Sequence, residues 1–276
     1  MITSENYKVT IVRYGTRTTV KSDVFLNYSV YGESDVAIEM DYFVWIIQNK
    51  TRTVVVDTGF SRQGGEARNR TFLLDLPNVY RSLGVDPSTS PPVILTHAHY
   101  DHAGNLRHFP TSQIFLAQSE YQFWTGKSAA HTQFSHSVEE DDLAEIAGAF
   151  NQGRVTTFNG SHTVAPGIEL IQVGGHTPGQ SVVKVNTSDG VVLLASDAIH
   201  FYEEYDRDMP FTYVADLVEM YEAFDRIRNM VSSGEVRHLV SGHDAGTLSR
   251  FTPVQGELAG LAATIGQIEE RGRPTQ

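Results

Sequence analysis

The chain has 276 residues, 40% hydrophobic and 20% charged, enough apolar material for a substantial core. Its formal net charge of −12 argues against nucleic-acid phosphates or an anionic membrane as the main partner, because both require a basic face. There is no cysteine, which excludes disulfides, thiolate metal ligands and a thiol nucleophile.

The first residues, Met1 to Lys8, lack the basic segment and apolar core of a secretory leader. No apolar run approaches the ~20 residues needed to span a bilayer. Together these predict a soluble, cytoplasmic protein. Strands are predicted at Val9–Tyr14, Phe43–Gln48, Thr53–Val56, Val93–Thr96, Gln113–Ala117, Gly167–Val173, Ser181–Asn186, Val191–Ala195 and Arg237–Ser241, all rich in Val, Ile and Leu and bounded by turn residues. Thr187-Ser188-Asp189-Gly190 reads as a hairpin turn. Helices are predicted at Glu139–Phe150, Val214–Val231 and Val254–Glu269. In the second, Leu217, Val218, Tyr221, Phe224, Ile227 and Val231 recur at helical spacing. The polar segment Phe60–Pro92 reads as either a lid or a surface excursion. Both halves of the chain run from strands into helices, which suits two similar αβ units facing each other in a single domain, residues 1–276.

Several predicted strands run directly into polar residues of one chemical kind. Thr53–Val56 leads to Asp57-Thr58-Gly59. Val93–Leu95 leads to His97-Ala98-His99-Tyr100-Asp101-His102. Ile168–Val173 leads to Gly174-Gly175-His176-Thr177-Pro178-Gly179. Val191–Ala195 leads to Ser196-Asp197, and Leu239–Ser241 to Gly242-His243-Asp244. Strand ends in one sheet layer share an edge, so these residues are expected to converge on one rim. Five imidazoles and two carboxylates suit two Zn²⁺ ions, although Fe, Mn or Co accepts the same nitrogen and oxygen donors.

The motif His97-x-His99-x-Asp101-His102, followed by His176, Asp197 and His243 and preceded by Asp57-Thr58-Gly59, resembles the metallo-β-lactamase superfamily of binuclear hydrolases. The resemblance spans roughly residues 40–245. It implies an α+β fold, a four-layer αβ/βα sandwich of two mixed sheets with outer helices. It further implies that His97, His99 and His176 hold one metal, that Asp101, His102 and His243 hold the other, and that Asp197 bridges them. Asp57 would orient a ligand histidine by hydrogen bond. The implied chemistry is attack of a metal-bridging hydroxide on a carbonyl, with Asp101 or a water bound near it as proton donor.

The lack of cysteine, with Asp101 beside His102, sets the chain apart from many true β-lactamases. Length and the segments Gly174–Gly179 and Ser196-Asp197-Ala198 look most like the N-acyl-homoserine lactonase group, whose members open lactone rings. That group carries a tyrosine three residues after the bridging aspartate, where this chain has His200. Tyr202 lies two residues further on, so His200 and Tyr202 join Asp101 as candidate catalytic residues. The expected substrate is a small lactone or ester. The alternatives are a thioester or other ester or amide hydrolase of the glyoxalase II kind, and a metal-containing binding module without turnover. Relatives often dimerise, which leaves a homodimer open. Among other residues, His131 and His136 are candidates for the pocket border, while Tyr100, Phe123, Trp124, Tyr202, Tyr205 and Phe211 are candidates for an aromatic wall.

Overall fold

A computed structural model describes residues 5–268 of the chain. Its strands are β1 (Lys8–Val20), β2 (Ala37–Gln48), β3 (Thr53–Val56), β4 (Thr71–Phe72), β5 (Val93–Ile94), β6 (Ile114–Ala117), β7 (Val155–Phe158), β8 (Ser161–Ala165), β9 (Ile168–Gln172), β10 (Ser181–Thr187), β11 (Gly190–Ser196), β12 (His238–Ser241), β13 (Thr252–Pro253) and β14 (Ala262–Ile265). One sheet runs β13-β14-β1-β2-β3-β5-β6-β7, with β4 paired to β1. The other runs β12-β11-β10-β9-β8.

Alternation along β2 shows how the layers form. Tyr42, Val44 and Ile46 face a core shared with the helices Leu76–Ser82, Gln118–Trp124 and Glu140–Asn151. Phe43, Trp45 and Ile47 face the opposite way, against Ile168, Leu170, Val183, Val185, Val192, Leu194 and Val240 of the second sheet. A strand buried on both faces needs a continuous apolar run, and Tyr42–Ile47 supplies one. The outer face of the second sheet packs on Met220, Ala223, Phe224, Ile227 and Met230 of helix Leu217–Ser232. The result is helix, sheet, sheet, helix: the expected four-layer sandwich.

Several boundaries differ from the sequence reading. The helix predicted at Val254–Glu269 is instead a short turn at Gly256–Leu258 followed by β14, antiparallel to β1 with Val9 opposite Ile265. Gly256 and Gly260 sit at φ +79° and +74°, conformations that stop a helix, and the apolar residues beyond them complete the β1 edge. Glu269 lies outside the described residues. β7 and β8 went unpredicted, and β1 extends to Val20 on pairing with residues from Ala37 onward. The helix expected from Val214 starts at Leu217, where the Asp216 side chain accepts from the amides of Val218 and Glu219. Phe60–Pro92 is a packed excursion containing helices Arg62–Ala67 and Leu76–Ser82, with Phe60, Leu76, Val79 and Tyr80 buried.

β3, β5 and β6 run parallel, as do β11 and β12, and β9 is antiparallel to β10, which is antiparallel to β11. The carboxyl ends of β3, β5, β9, β11 and β12 therefore collect on one rim, and the histidine- and aspartate-bearing loops follow them.

Candidate metal centre

Two strand ends are forced into unusual backbone conformations. Asp57 and Ser196 both adopt left-handed φ, +58° and +46°, costing about 1 kcal/mol each for a non-glycine residue. A buried network holds them there. The Asp57 carboxylate accepts from the Thr96 amide (2.8 Å) and the Thr96 hydroxyl (2.8 Å), and that hydroxyl lies 2.8 Å from the Ser196 hydroxyl. Asp57 Oδ2 also lies 2.8 Å from His102 Nδ1, which turns His102 Nε2 toward the rim. The His176 loop is tight because its residues are small. A Cβ on Gly175, at φ +87°, would approach the Met220 Cα to 2.5 Å.

Two further rings are anchored in the same way, each by one nitrogen. His176 Nδ1 donates to the Tyr213 carbonyl (2.6 Å), and His243 Nδ1 to the Asp41 carbonyl (2.7 Å). The free nitrogens converge on Asp197. Its Oδ2 lies 3.7 Å from His97 Nε2 and 3.4 Å from His176 Nε2, and its Oδ1 lies 3.2 Å from His102 Nε2 and 3.1 Å from His243 Nε2. His99 Nδ1 faces His176 Nε2 at 2.9 Å. Asp101 places its two oxygens 3.9 Å from His102 Nε2 and 3.8 Å from His243 Nε2. Donor atoms of His97, His99, His176 and Asp197 form one group within 4.8 Å of one another, and those of Asp101, His102 and His243 form a second.

This arrangement fits a pair of divalent cations. The Nε2 atoms of His97, His102 and His243, and of the neighbouring His200, are buried without an aligned hydrogen bond, an expensive condition unless something else takes their lone pairs. One carboxylate offers one oxygen to each group, and all seven donors are of the nitrogen and oxygen types that divalent zinc, iron, manganese or cobalt accept. Electrostatics differ between the two groups. Burial and the neighbouring imidazoles hold His97 and His99 well below the usual histidine range and His176 at about 3, which keeps these rings neutral, as metal ligands would have to be. At His102 burial is outweighed by the carboxylates of Asp197, Asp57 and Asp101, which hold the ring well above that range, a surplus of negative charge that a cation would offset. Burial opposes ionisation of Asp197, but the surrounding histidines outweigh it and keep the carboxyl far below its normal range.

The two remaining candidates sit differently. His200 is fully buried. Its Nδ1 and backbone amide both meet Glu204 Oε2, at 3.1 and 2.6 Å, and its Nε2 lies 3.1 Å from Asp197 Oδ2. The ring stacks on Phe211 with centroids 3.8 Å apart. Tyr202 is not brought to the cluster: its hydroxyl donates to the Leu239 carbonyl (3.0 Å) and accepts from the Ser241 amide (3.4 Å).

A cavity of about 150 Å³ opens onto the centre, lined by His99, Asp101, His176 and Asp197 together with Arg17, Met40, Tyr42, Arg68, Arg70, Tyr100, His136, Ser137, Phe211 and Tyr213. Thus Tyr100, Phe211 and His136 border it as the sequence suggested, while exposed His131 and the residues Phe123 and Tyr205 do not. Trp124 instead backs the His99 ring at 5.6 Å. A larger cleft of about 410 Å³ near Leu74, Pro77 and Arg107 touches no ligand residue.

Sequence reasoning missed Glu120. This buried side chain accepts from the Ala98 amide (2.9 Å), the Trp124 indole (2.7 Å) and the Gly179 amide (2.9 Å), tying the His97–His102 loop to the His176 loop. It sits early in a short helix whose polar letters read as a solvated face, and nothing local marks it. Glu204, which also accepts from the Phe211 amide at 2.9 Å, is buried for the same kind of reason and was equally hidden in the acidic run 203–208.

A four-layer sandwich with two adjoining His/Asp groups on one rim defines a dimetal-type centre of the β-lactamase-like architecture. The chain belongs to the metallo-beta-lactamase superfamily, whose family model matches residues 39–243. An N-acyl homoserine lactonase of Bacillus sp is 25% identical over 189 residues, covering 63% of this chain and 70% of that protein. The N-acyl homoserine lactonase AiiB of Agrobacterium fabrum is 28% identical over 184 residues, 61% and 66% of the two chains. Among solved structures, a quorum-quenching N-acyl homoserine lactone lactonase superposes with a TM-score of 0.73 at 19% identity, covering 88% of this chain and 94% of the other. AidC, described as a dizinc quorum-quenching lactonase, gives 0.71 at 18% identity over 97% of each chain. No described helix is long and apolar enough to cross a membrane.

Proposed function

We propose that this chain is a metal-dependent hydrolase, binuclear and zinc-loaded, that opens the ring of a small lactone. The observation that carries this reading is the Asp197 carboxylate with one oxygen facing each of two buried donor groups. The likeness to N-acyl homoserine lactonases supports a lactone as substrate. Held by His97, His99, His176 and Asp197 and by Asp101, His102 and His243, a pair of divalent ions would supply Lewis acidity, lowering the pKa of water from 15.7 to about 7 and polarising a carbonyl.

The protein's own groups do the rest. Asp57 and the Tyr213 and Asp41 carbonyls fix the ligand rings in one tautomer. Tyr42, Tyr100, Phe211 and Tyr213 wall the cavity and limit the water that reaches the ester bond. Asp101 faces the cavity and carries the proton released by the attacking water to the ring oxygen as the acyl C–O bond breaks, leaving a hydroxy acid. His200, pinned by Glu204, acts through Asp197 by holding Oδ2 in place. The spent hydroxyl of Tyr202 makes it the weaker of the two candidates.

The test is a panel of lactones, thioesters and β-lactams presented to zinc-loaded protein. Lactone opening releases a proton and a single product, whereas thioester cleavage liberates a thiol. Turnover of thioesters alone replaces the lactonase reading with a thioesterase one, and turnover of nothing leaves a binding module.

A further inference from the structure

Three arginines, Arg17, Arg68 and Arg70, line the cavity that opens onto the metal centre, an unexpected density of cations in a chain of net charge −12. They are not equivalent. Arg68 pairs with Glu139 and donates to the His136 and Val138 carbonyls, so its charge is already answered. Arg17 and Arg70 have no carboxylate within 4 Å among the described residues. Arg70 is half-buried. It donates through Nε to the Tyr100 hydroxyl (2.9 Å) and through Nη1 to the Arg68 carbonyl (2.6 Å). Arg17 stands opposite Met40 in the β1–β2 pair. Its Nη2 finds only the Met40 sulfur, at 3.2 Å, and its Nε is buried without a partner. Asp101, whose charge Arg70 feels from beyond ion-pair distance, directs its oxygens at His102 and His243.

A guanidinium that is partly desolvated and lacks an anion is costly, and a planar donor fork matches a carboxylate or phosphate. Both side chains line the cavity that holds the reacting centre, and Arg17 Nη1 and Arg70 Nη2 make no hydrogen bond among the described residues. We propose that Arg17 and Arg70 form an anion-binding edge, so that the preferred substrate is a lactone or ester bearing a second, negatively charged group rather than a wholly neutral one. This inference rests on the hydrolase reading above. The Tyr42 hydroxyl, which accepts from the Tyr100 hydroxyl at 3.5 Å and borders the same cavity, has its own proton to donate to the anionic group.

The experiment compares two γ-lactones that differ only in a ring carboxylate and its primary amide, with a phosphate-bearing lactone as a third substrate. Zinc-loaded wild type is expected to favour the carboxylate or the phosphate over the amide by tenfold or more in kcat/KM, chiefly through KM. Arg17→Gln and Arg70→Gln should each bring that ratio toward one, and Arg→Lys should restore part of it. Bound zinc checks that the variants are folded. An acid-to-amide ratio of one or less in wild type, with the amide still opened, overturns the anion edge and leaves the hydrolase reading intact. If wild type opens no lactone, the lactonase reading fails, and calorimetry with a γ-lactam carboxylate and its amide decides the anion edge. Tighter binding of the carboxylate, lost in Arg17→Gln, supports it, and equal affinities overturn it.

Discussion

Glu120 offers the sharpest test of how the centre is held together, because it touches neither a ligand side chain nor the cavity. Its carboxylate accepts three buried donors, two on Oε1 and one on Oε2, and two of these donors are backbone amides in different ligand loops. Glu120→Gln can keep the Ala98 and Trp124 bonds only by turning its amide NH₂ against the Gly179 N–H. One charge-assisted bond worth ~1.5–3 kcal/mol is lost and two donors are set face to face. The alternative flip sacrifices two bonds. Space gives no escape, since a Cβ at Gly179 would already lie 2.5 Å from the Glu120 amide. Burial pushes the Glu120 carboxyl upward, so removing the charge returns part of the loss. The net expectation is a destabilisation of about 2–3 kcal/mol in the metal-free protein, and more for Glu120→Ala, which strands all three donors. Urea unfolding of metal-free protein at pH 7 measures this. Competition with a chromophoric chelator should show zinc affinity lower by roughly 10- to 100-fold, as His176 loses its fixed position relative to His97 and His99. A Glu120→Gln protein within 0.5 kcal/mol of wild type and with unchanged zinc affinity refutes the reasoning.

Purified protein should carry close to two transition-metal ions per chain by elemental analysis, matching the two donor groups, and chelation should abolish turnover and lower Tm. Asp101→Asn should reduce kcat by ~100-fold or more, yet leave metal-free stability within ~1 kcal/mol, because the carboxylate makes no hydrogen bond that the amide would lose; wild-type turnover would remove Asp101 from the mechanism. His200→Phe preserves the stack on Phe211 but not the contact with Asp197, so zinc affinity and kcat should fall together, and unchanged values for both would dismiss the positioning role. Asp142, away from the centre, gives a pH prediction. Burial first, then Glu139 and Glu145, raises its carboxyl from 3.8 to about 7, and Oδ2 has no hydrogen-bond partner. The unfolded chain releases this proton near pH 4 and the folded chain only near 7, so the contribution to stability falls as pH rises between these values. Asp142→Asn should therefore be more stable than wild type at pH 8, by ~1–2 kcal/mol after allowing for solvent around a partly open site, and the difference should vanish below about pH 4. Chemical denaturation at the two pH values checks the sign.

The sequence was legible wherever the physics is local. Asp57, His97, His99, Asp101, His102, His176, Asp197 and His243 each follow an apolar run that is a strand or leads out of one, so parallel strand ends suffice to bring them to one rim. Alternation and apolar runs marked most of the inner strands for the same reason. The helix expected at Val254–Glu269 failed because an apolar run of that length satisfies either period, and only the free edge of β1 made a strand the better use of Ala262–Ile265.

What only the tertiary structure decided is which polar groups are buried and what they face. Glu120 and Glu204 look like surface residues until distant backbone amides close around them. His200 and Tyr202 stand two residues apart, yet one reaches Asp197 and the other turns to Leu239. Arg68 and Arg70 share a loop, and only contact with Glu139 neutralises the first. A short pattern can specify donors to a metal, because strand ends bring them together. The cost or benefit of a buried charge depends on partners far apart in the chain, and those meet only in the folded molecule.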